Sequence, residues 1–516
     1  MKRTILTLAS CLIPLVASAA QQPNIIFILA DDMGVGDVSH TTGKAQTPAL
    51  DQLAKEGMRF TNAHTSSSVC SPTRYGIMTG RYNWRSWLKS AVIWSPDKRG
   101  PMITQDRLTV PAFLKKNGYH TALVGKWHLG LKWTYLDKKR TPEHTGKHKK
   151  HGAGWDIDYT KIAGGGPTTL GFDQSFFIAG SLDMAPYVYL KNDKAISIPT
   201  HVKAFQRAGA GAADFEASEC LSDFARESVS YINERAKDPS KPFFLYLPLT
   251  SPHTPIVPSK KFQGKSPIGK YGDFIMETDW VVGQVLKALD DNKIADNTLV
   301  IFTTDNGCSP AAKIPNLVKQ GHKPNMDLRG HKADIYEGGH NVPFIVRWPG
   351  KAKAGSTSAR IICTTDFFAT AADVIGKATS IPEAGAVDSF SFLPSLTGED
   401  QKARPFTIHH SINGSFAIRQ GKWKLAMCPG SGGWSSPRPG KAPKDAPPVQ
   451  LFDLESDPTE KINLAAKNPE LVGTLIKALN TAITAGRTTP GPDQKNDTPV
   501  PPFNAKLIKQ YPKASR

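Results

Sequence analysis

Four oxygen-bearing side chains stand in two adjacent pairs, each directly after an apolar run of the sequence. Asp31 and Asp32 follow the run NIIFILA, and Asp305 and Asn306 follow the run LVIFTT. Carboxylate and amide oxygens are hard ligands that suit Ca²⁺ or Mg²⁺, whereas zinc prefers clustered His and Cys. One Asp-Asp pair alone is commonly a cap or a turn, but the second pair favours a metal. We therefore predict a divalent-cation site, with Ca²⁺ favoured over Mg²⁺.

A cysteine with reactive neighbours is the second chemical feature. Pro72 suits the first turn of a helix, which places Cys70 at the positive end of that helix beside Arg74. A thiol in this position is either a nucleophile of lowered pKa or a small buried residue. These residues alone leave both interpretations open.

The elements that must position these groups are short apolar runs typical of buried strands, at residues 24–30, 121–124, 243–249 and 299–304. Such runs, separated by helical patterns, predict a parallel sheet covered by helices on both faces. Ligands of an open α/β sheet bind at the carboxyl ends of the strands. Lys126, His128 and His253 follow further strand ends, so we expect them to join the two acidic pairs in one site.

The pattern changes after a polar stretch at residues 396–404, which we take as a domain boundary. Beyond it, residues 416–427 alternate like antiparallel strands and residues 468–485 predict one helix. The predicted fold is therefore α/β, a large mostly parallel sheet sandwiched by helices, with a smaller C-terminal α+β subdomain that carries an antiparallel sheet. We place the catalytic domain at 21–398 and the subdomain at 399–516.

Composition narrows the class of protein and of partner. The chain has 516 residues, of which 39% are hydrophobic and 21% charged, as in a folded protein and unlike a disordered one. Six cysteines are too few for a disulfide scaffold. The 64 Lys and Arg residues exceed the 45 Asp and Glu residues, and the resulting net charge of +19 attracts polyanions. No nucleic-acid motif accompanies this charge, so we expect no nucleic-acid partner.

The first twenty residues predict export. Lys2 and Arg3 precede an apolar run at residues 5–16 and small residues at 17–20, the three parts of a signal peptide (1–20). We therefore expect a periplasmic or extracellular protein, and no transmembrane segment elsewhere. As an alternative, residues 8–11 fit a lipoprotein box ending at Cys11.

A family resemblance rests on several motifs. The pattern Cys-x-Pro-x-Arg at residues 70–74, followed by Thr-Gly-Arg at 79–81, resembles the maturation signature of the type I sulfatases of the alkaline-phosphatase superfamily. Further matching blocks extend over residues 24–465, at 125–130, 252–255, 304–307, 332–339 and 451–464. Within that family the chain resembles arylsulfatase and N-acetylgalactosamine-6-sulfatase-like bacterial members. Among its departures from the family pattern, His340 stands where an arginine usually follows the Gly-Gly pair.

The resemblance implies a nucleophile and its activation. In that family a maturation enzyme converts the cysteine to formylglycine, whose hydrated aldehyde attacks sulfur. Formylglycine at Cys70 would then also contact the metal, and Arg74 would support both. This adds residue 70 to the predicted ligand set of Asp31, Asp32, Asp305 and Asn306.

The remaining implied roles concern the sulfate group. Lys126 and Lys332 would neutralise its charge. His253 would be the general acid for the leaving alcohol, and His128 would hydrogen-bond the second hydroxyl of the hydrated aldehyde.

Substrate identity has weaker signals. Residues 181–184 resemble a segment of the N-acetylgalactosamine-6-sulfatase-like members, which makes Asp183 a candidate contact to a sugar hydroxyl. Trp84, Trp87 and Trp94 are either core residues or surfaces that stack on sugar rings. We expect a sulfated glycan or a small sulfate ester as substrate, with a galactose-type 6-sulfate favoured.

Two other functions remain open. A phosphate or phosphonate monoester hydrolase of the same superfamily would use the same nucleophile and metal. A non-catalytic protein that binds sulfated glycans would leave Cys70 unmodified and dispensable. In an oxidising compartment, Cys220, Cys308, Cys363 and Cys428 could also pair, in an order that sequence cannot give.

Overall fold

The computed structural model describes residues 22–42, 44–399 and 404–503. The expected signal peptide (1–20) and the alternative lipoprotein cysteine, Cys11, lie outside these residues. Within them, none of the helices has the length and apolar character needed to cross a membrane.

The strands of the described residues make up a ten-stranded sheet, a four-stranded sheet and two small pairs. In chain order they are β1 (Asn24–Asp31), β2 (Met58–Phe60), β3 (Ala63–His64), β4 (His120–Lys126), β5 (Gln174–Ile178), β6 (Tyr189–Lys191), β7 (Lys194–Ala195), β8 (His201–Ala204), β9 (Ala208–Gly211), β10 (Phe243–Pro252), β11 (Thr298–Thr304), β12 (Phe344–Arg347), β13 (Ser356–Ser358), β14 (Ile362–Cys363), β15 (Thr407–His410), β16 (Phe416–Gln420), β17 (Trp423–Ala426) and β18 (Gln450–Asp453).

Helices pack in layers beside the large sheet. In chain order they are α1 (Ser39–Thr42), α2 (Pro48–Glu56), α3 (Cys70–Thr79), α4 (Val110–Lys116), α5 (Cys220–Arg235), α6 (Lys270–Asp291), α7 (Ile314–Lys319), α8 (Glu337–His340), α9 (Phe367–Val374), α10 (Leu393–Thr397) and α11 (Pro469–Thr484). Helix α6 contacts both α2 and α5, and α3, α4 and α9 contact one another in a second group.

The large sheet has the order β13-β2-β12-β11-β1-β10-β4-β5-β6-β7. Its five central strands, β11, β1, β10, β4 and β5, are mutually parallel, and β12 and β6 flank them in the antiparallel sense. Every residue of β1 is buried, as expected for a central strand with apolar layers on both faces. The predicted α/β class is confirmed.

The C-terminal sheet β15-β16-β17-β18 is antiparallel throughout, also as predicted. Helix α11 lies over it, and Leu475, Ile476 and Leu479 share a core with Ile418 and Leu425. The proposed boundary between residues 398 and 399 falls in the segment that joins α10 to β15. Division of the chain at that point stays a prediction.

The start of α2 is capped by a side chain of another helix. Thr47 and Pro48 match the signature of a capped helix start, and Pro48 is the first residue of α2. The hydroxyl of Thr47 instead bonds to Ser39, so it does not cap the helix. Asp279 of α6 accepts the free backbone N–H groups of Ala49 and Leu50 in its place.

Candidate active site

The carboxyl ends of β1 and β11 bring the two acidic pairs together. These strands are parallel neighbours in which Ala30 is paired with Thr304, so the residues that follow them meet at one edge. The backbone N–H of Asp32 donates to Oδ1 of Asp305 at 3.2 Å. Nδ2 of Asn306 donates to Oδ1 of Asp32 at 2.7 Å. Asp32 has a φ of +68°, a left-handed conformation that Asp tolerates better than most residues.

Helix α3 places the predicted nucleophile, Cys70, at the same edge of the sheet. Cys70 is its first residue, and Sγ of Cys70 lies 3.5 Å from Oδ1 of Asp31. One turn later, Nε and Nη2 of Arg74 donate to Oδ2 of Asp305 at 3.1 and 2.7 Å. Nη1 of Arg74 donates to the carbonyl of Lys126 at 3.0 Å. Arg74 therefore fixes α3 against the ends of both β11 and β4.

Two buried lysines complete the charge pattern. Lys126 ends β4, and its Nζ lies 2.6 Å from Oδ2 of Asp31. Nζ of Lys332 lies 2.7 Å from Oδ1 of Asp32 and 3.6 Å from Sγ of Cys70. Although burial disfavours a charged lysine, Asp32 and its neighbours raise the pKa of Lys332 above its usual value. The ammonium form of Lys332 is therefore favoured at neutral pH, and it lies beside residue 70.

His253 faces the site through Nε2. Its Nδ1–H donates to the carbonyl of Thr254, and the hydroxyl of Ser181 lies 3.3 Å from the same nitrogen. Nε2 is 3.6 Å from Oδ2 of Asp32. Burial, and after it the charge of Lys332, lower the pKa of His253. The contacts at Nδ1 leave Nε2 as the nitrogen that can exchange a proton with a ligand.

His128 has the opposite arrangement. Its Nε2–H donates to the carbonyl of Ile93 at 2.9 Å. Nδ1 is buried and has no hydrogen-bond partner among the described residues. Burial and the charge of Lys126 hold the pKa of His128 well below its usual range. His128 is therefore neutral and offers an unused acceptor.

The site is close to electrical balance without a metal. Burial alone would raise the pKa of Asp31, but Lys126 and other cations hold it well below its usual range. Burial, together with the charge of Asp31, raises the pKa of Asp305 to about 6. Burial and the charge of Asp305 raise the pKa of the Cys70 thiol well above its usual value. An unmodified Cys70 would therefore stay protonated, which disfavours the low-pKa thiolate that its place on a helix allowed.

The donor set fits a divalent cation. Oδ1 of Asn306 is buried and lacks a hydrogen-bond partner within the described residues, as a ligand oxygen would. Ligand atoms of Asp31, Asp32, Cys70 and His253 all lie within 4.8 Å of one another. His253 was expected in this site as the general acid, but not among the candidate metal ligands. Because carboxylate and amide oxygens dominate, the set suits a hard cation.

Comparison with known proteins identifies the family of this site. Residues 23–377 match the family model for sulfatases. The chain belongs to the sulfatase family. The predicted family is confirmed, and the protein is a sulfuric ester hydrolase.

Individual relatives of this sulfatase extend over most of its length. A Bacteroides thetaiotaomicron protein named N-acetylgalactosamine-6-O-sulfatase is 31% identical over 512 residues, covering 90% of this chain and 94% of the relative. Arylsulfatase D of Homo sapiens is 28% identical over 537 residues, covering 92% and 88%. A solved Bacteroides thetaiotaomicron structure, described under the metabolism of multiple glycosaminoglycans, has a TM-score of 0.74 at 30% identity. That likeness covers 90% of this chain and 99% of the other.

Asp183, the predicted substrate contact of the sulfatase, lies in a segment that contacts His253 through Ser181. It is buried, and one of its oxygens forms an ion pair with Nη1 of Arg207. Its Oδ1 is buried and unpartnered within the described residues. The nearby Ser181 connects this segment to His253. Arg207 lies in the turn between β8 and β9, and no motif in the sequence marks it.

The departure at His340 has a structural role in this sulfatase. Nδ1 of His340 lies 3.1 Å from Nδ1 of His64, and its ring stacks on His409 of β15 at 3.9 Å. The adjacent Glu337 pairs with Lys424 of β17 at 3.0 Å. These buried contacts join α8 to the C-terminal sheet.

The remaining expectations concern tryptophans and cysteines. Trp84 is fully buried, whereas Trp94 is 47% exposed. Trp87 is partly buried against the core. Five cysteines within the described residues are free and buried, so the possible disulfides do not form; they are Cys70, Cys220, Cys308, Cys363 and Cys428.

Proposed function

We propose that this sulfatase is an exported enzyme that hydrolyses sulfate monoesters of carbohydrates, with a galactose-type 6-sulfate as the favoured substrate. The observation that carries the proposal is the position of Cys70. Its Sγ lies 3.5 Å from Oδ1 of Asp31 and 3.6 Å from Nζ of Lys332. The proposed nucleophile therefore lies between Asp31, a proposed metal ligand, and Lys332, a cation proposed to hold sulfate.

Residue 70 would act as formylglycine, whose hydrated aldehyde supplies a hydroxyl group for attack on sulfur. Cys70 and Arg74 are fully buried in the folded chain. A maturation enzyme would therefore have to reach this segment before the chain folds. Once folded, Arg74 holds the first turn of α3 through its bonds to Asp305.

Asp31, Asp32, Asp305 and Asn306 would hold a divalent metal. Ca²⁺ is favoured over Mg²⁺ because the set includes three carboxylates, whereas Mg²⁺ usually keeps several waters and takes only one or two carboxylates. When bound, the metal would lower the pKa of a coordinated hydroxyl and offset negative charge on the sulfate. Residue 70 would complete the ligand set, since it lies next to Asp31.

The two lysines would bind the sulfate oxygens. Three cations, Arg74, Lys126 and Lys332, face three carboxylates in this site, so a bound divalent metal would leave it positive. A positive, buried pocket stabilises the charge that develops on sulfate oxygens in the transition state. Lys126 and Lys332 are the two cations whose ammonium groups reach residues around position 70.

Proton transfers would use the two histidines. Nε2 of His253 would carry a proton to the bridging oxygen as the alcohol leaves, and Asp32 at 3.6 Å would balance the imidazolium. The unused Nδ1 of His128 would accept a hydrogen bond from a hydroxyl of residue 70 and then remove its proton as sulfate leaves.

The sugar preference rests on the relative named N-acetylgalactosamine-6-O-sulfatase and on Asp183. The free Oδ1 of Asp183 would accept a hydrogen bond from a sugar hydroxyl. A buried acceptor that loses its partner discriminates strongly between sugar isomers.

A panel of defined esters tests this function. Sulfate release would be measured on galactose-, N-acetylgalactosamine- and glucosamine-6-sulfate and on a 2-sulfated uronate, beside aryl phosphate and phosphonate esters. We expect the galactose-type sugars to react fastest. Faster release from glucosamine or uronate would contradict the sugar preference alone, and turnover of only phosphate or phosphonate esters would contradict the whole proposal.

A further inference from the structure

An arginine, a tryptophan and an aspartate form a small cluster, which we call the arginine rim (Trp94, Asp183 and Arg207). The guanidinium of Arg207 lies over the ring of Trp94 at 4.9 Å from its centroid. Nη1 of Arg207 pairs with the carboxylate of Asp183. Trp94 is 47% exposed and the side chain of Arg207 45% exposed, whereas Asp183 is buried. The rim therefore has a buried anchor and an exposed cation.

Trp94 of the arginine rim is linked to the proposed active site through the backbone of Ile93. The backbone N–H of Ile93 donates to the hydroxyl of Ser71 at 3.1 Å, which holds this backbone in place. The carbonyl of Ile93 accepts from His128 at 2.9 Å. Trp94 follows Ile93 in the chain, and Ser71 follows Cys70. Trp94 is therefore next in the chain to a residue that hydrogen-bonds to Ser71 and His128 in the proposed active site.

The arginine side of the rim is attached through His253. The hydroxyl of Ser181, two residues before Asp183, lies 3.3 Å from Nδ1 of His253. The hydroxyl of Thr254 donates to the side chain of Gln206 at 3.1 Å. Arg207 therefore follows Gln206, which contacts Thr254. Thr254 is next in the chain to His253, the proposed general acid.

The guanidinium is held in place but only partly used. Within the described residues its hydrogen bonds all come from Nη1 and go to Asp183, which leaves Nε and Nη2 without a protein acceptor. Stacking on an indole ring and pairing with a carboxylate both restrict its motion. A fixed, exposed guanidinium with free donors matches the geometry of a carboxylate or a sulfate group.

A larger basic surface continues from the hairpin that carries Arg207. The basic segment (residues 138–151) packs along β8 and β9, where the carbonyl of His144 accepts from Val202 at 2.8 Å. Just beyond that segment, the carbonyl of Ala153 accepts from Ala210 at 2.9 Å. Five lysines of the segment are exposed: Lys138, Lys139, Lys147, Lys149 and Lys150. Such a surface attracts a polyanion toward the rim.

From these contacts we propose that Arg207 binds a second anionic group of the substrate, a carboxylate or sulfate on the sugar next to the one that carries the scissile ester. Asp183 and Trp94 position the guanidinium for this contact. The inference rests on the proposed function and deepens it. It assigns the enzyme to glycan fragments with several anionic groups, in preference to sugars whose only anionic group is the sulfate to be removed.

The test compares matched disaccharides that carry the same 6-sulfated N-acetylgalactosamine. Its neighbour is a uronic acid, the same sugar with the carboxyl reduced to an alcohol, or the reduced sugar with an added sulfate. We expect kcat/KM for each anionic disaccharide to exceed that for the neutral one by about tenfold, mainly through KM. The two anionic arms show whether a carboxylate or a sulfate is bound better.

Variants locate the effect. Arg207→Gln should bring the ratio of anionic to neutral kcat/KM close to one, and Arg207→Lys should retain part of the preference. The wild-type preference should also weaken with added salt, and that salt dependence should be smaller in Arg207→Gln. Arg226→Gln is the matched control, because Arg226 is an exposed arginine on α5 that pairs with Asp223.

Two results would overturn the inference while leaving the proposed function intact. They are equal kcat/KM for the anionic and neutral disaccharides in the wild type, and a full preference retained by Arg207→Gln. Absence of sulfate release from every arm by the mature wild-type enzyme would overturn both. Circular dichroism and thermal unfolding would establish that each variant folds.

Discussion

Nζ of Lys332 lies 3.6 Å from Sγ of Cys70, although 262 residues separate the two positions in the chain. The same ammonium group is 2.7 Å from Oδ1 of Asp32. A cation from a distant loop is thus held between a proposed metal ligand and the proposed nucleophile. Its role can be tested by replacing Lys332 alone.

Lys332→Ala should lower kcat/KM for a sulfate ester by about 100- to 1,000-fold, because it removes a donor from a buried site where charge develops. Steady-state kinetics on the mature enzyme would measure the loss. Lys319→Ala on α7 is the matched control, because Lys319 is exposed. Equal activity of Lys332→Ala and the control would exclude a role for Lys332 in holding sulfate.

Metal removal should inactivate the enzyme and also destabilise it. A ligand that binds only the folded state adds about 2.7 kcal/mol at a free concentration of 100 times its Kd. We therefore expect chelation to lower the Tm and abolish sulfate release, and Ca²⁺ to restore both. Asp305→Asn should weaken the calcium response of the Tm. Full activity and an unchanged Tm after exhaustive chelation would contradict the metal assignment.

Acid should destabilise the fold through its buried histidines. Burial lowers the pKa of His409 to about 3 and holds those of His64 and His340 well below their usual range. Unfolded histidines titrate near pH 6.5, so between about pH 6.5 and 3 the unfolded chain binds more protons than the folded chain. Stability should therefore fall as pH falls, by at most about 1.4 kcal/mol per pH unit for each histidine.

Urea unfolding at a series of pH values would measure this slope. His409→Gln should reduce the slope below pH 6.5, because one depressed pKa is removed. His151→Gln should leave it unchanged, since His151 is exposed. An identical pH slope in wild type and His409→Gln would show that this cluster does not set acid stability.

A glycine beside Lys126, the proposed sulfate-binding lysine, should be intolerant of substitution. Gly125 has a φ of +136°, and an added Cβ would lie 1.9 Å from the carbonyl oxygen of Pro248. Gly125→Ala should cost a few kcal/mol and displace Lys126. In α6, a Cβ added at Gly283 would make only an ordinary contact, 3.4 Å from Cβ of Ala49. Gly283→Ala should therefore raise stability by about 0.5–1 kcal/mol. Thermal unfolding of both variants checks this, and a Tm loss shared equally by the two would contradict it.

The sequence predicted those parts of the site that follow from strand order. Apolar runs that end in Asp31 and Asp305 had to lie in a parallel sheet, and parallel strands bring their carboxyl ends to one edge. The antiparallel C-terminal sheet followed from side-chain alternation in the same way. Lys332 was different, because only the family resemblance indicated its role.

Other features depended on contacts that no local pattern encodes. Arg207 lies in an irregular turn, and its pairing with Asp183 arises from tertiary packing. The cap of α2 comes from Asp279, which is 229 residues from Leu50. Whether Trp94 is core or surface depends on the exposure that folding leaves it, and this could not be deduced from its spacing.

The mass of the peptide that contains Cys70 tests the central claim most directly. It should be measured on enzyme made with a formylglycine-generating maturation enzyme, beside the sulfate-releasing activity of the same sample. We predict the mass of an aldehyde at residue 70, activity in proportion to the aldehyde fraction, and no turnover by Cys70→Ala. A peptide carrying only the unmodified thiol, from a sample with full sulfatase activity, would contradict the account.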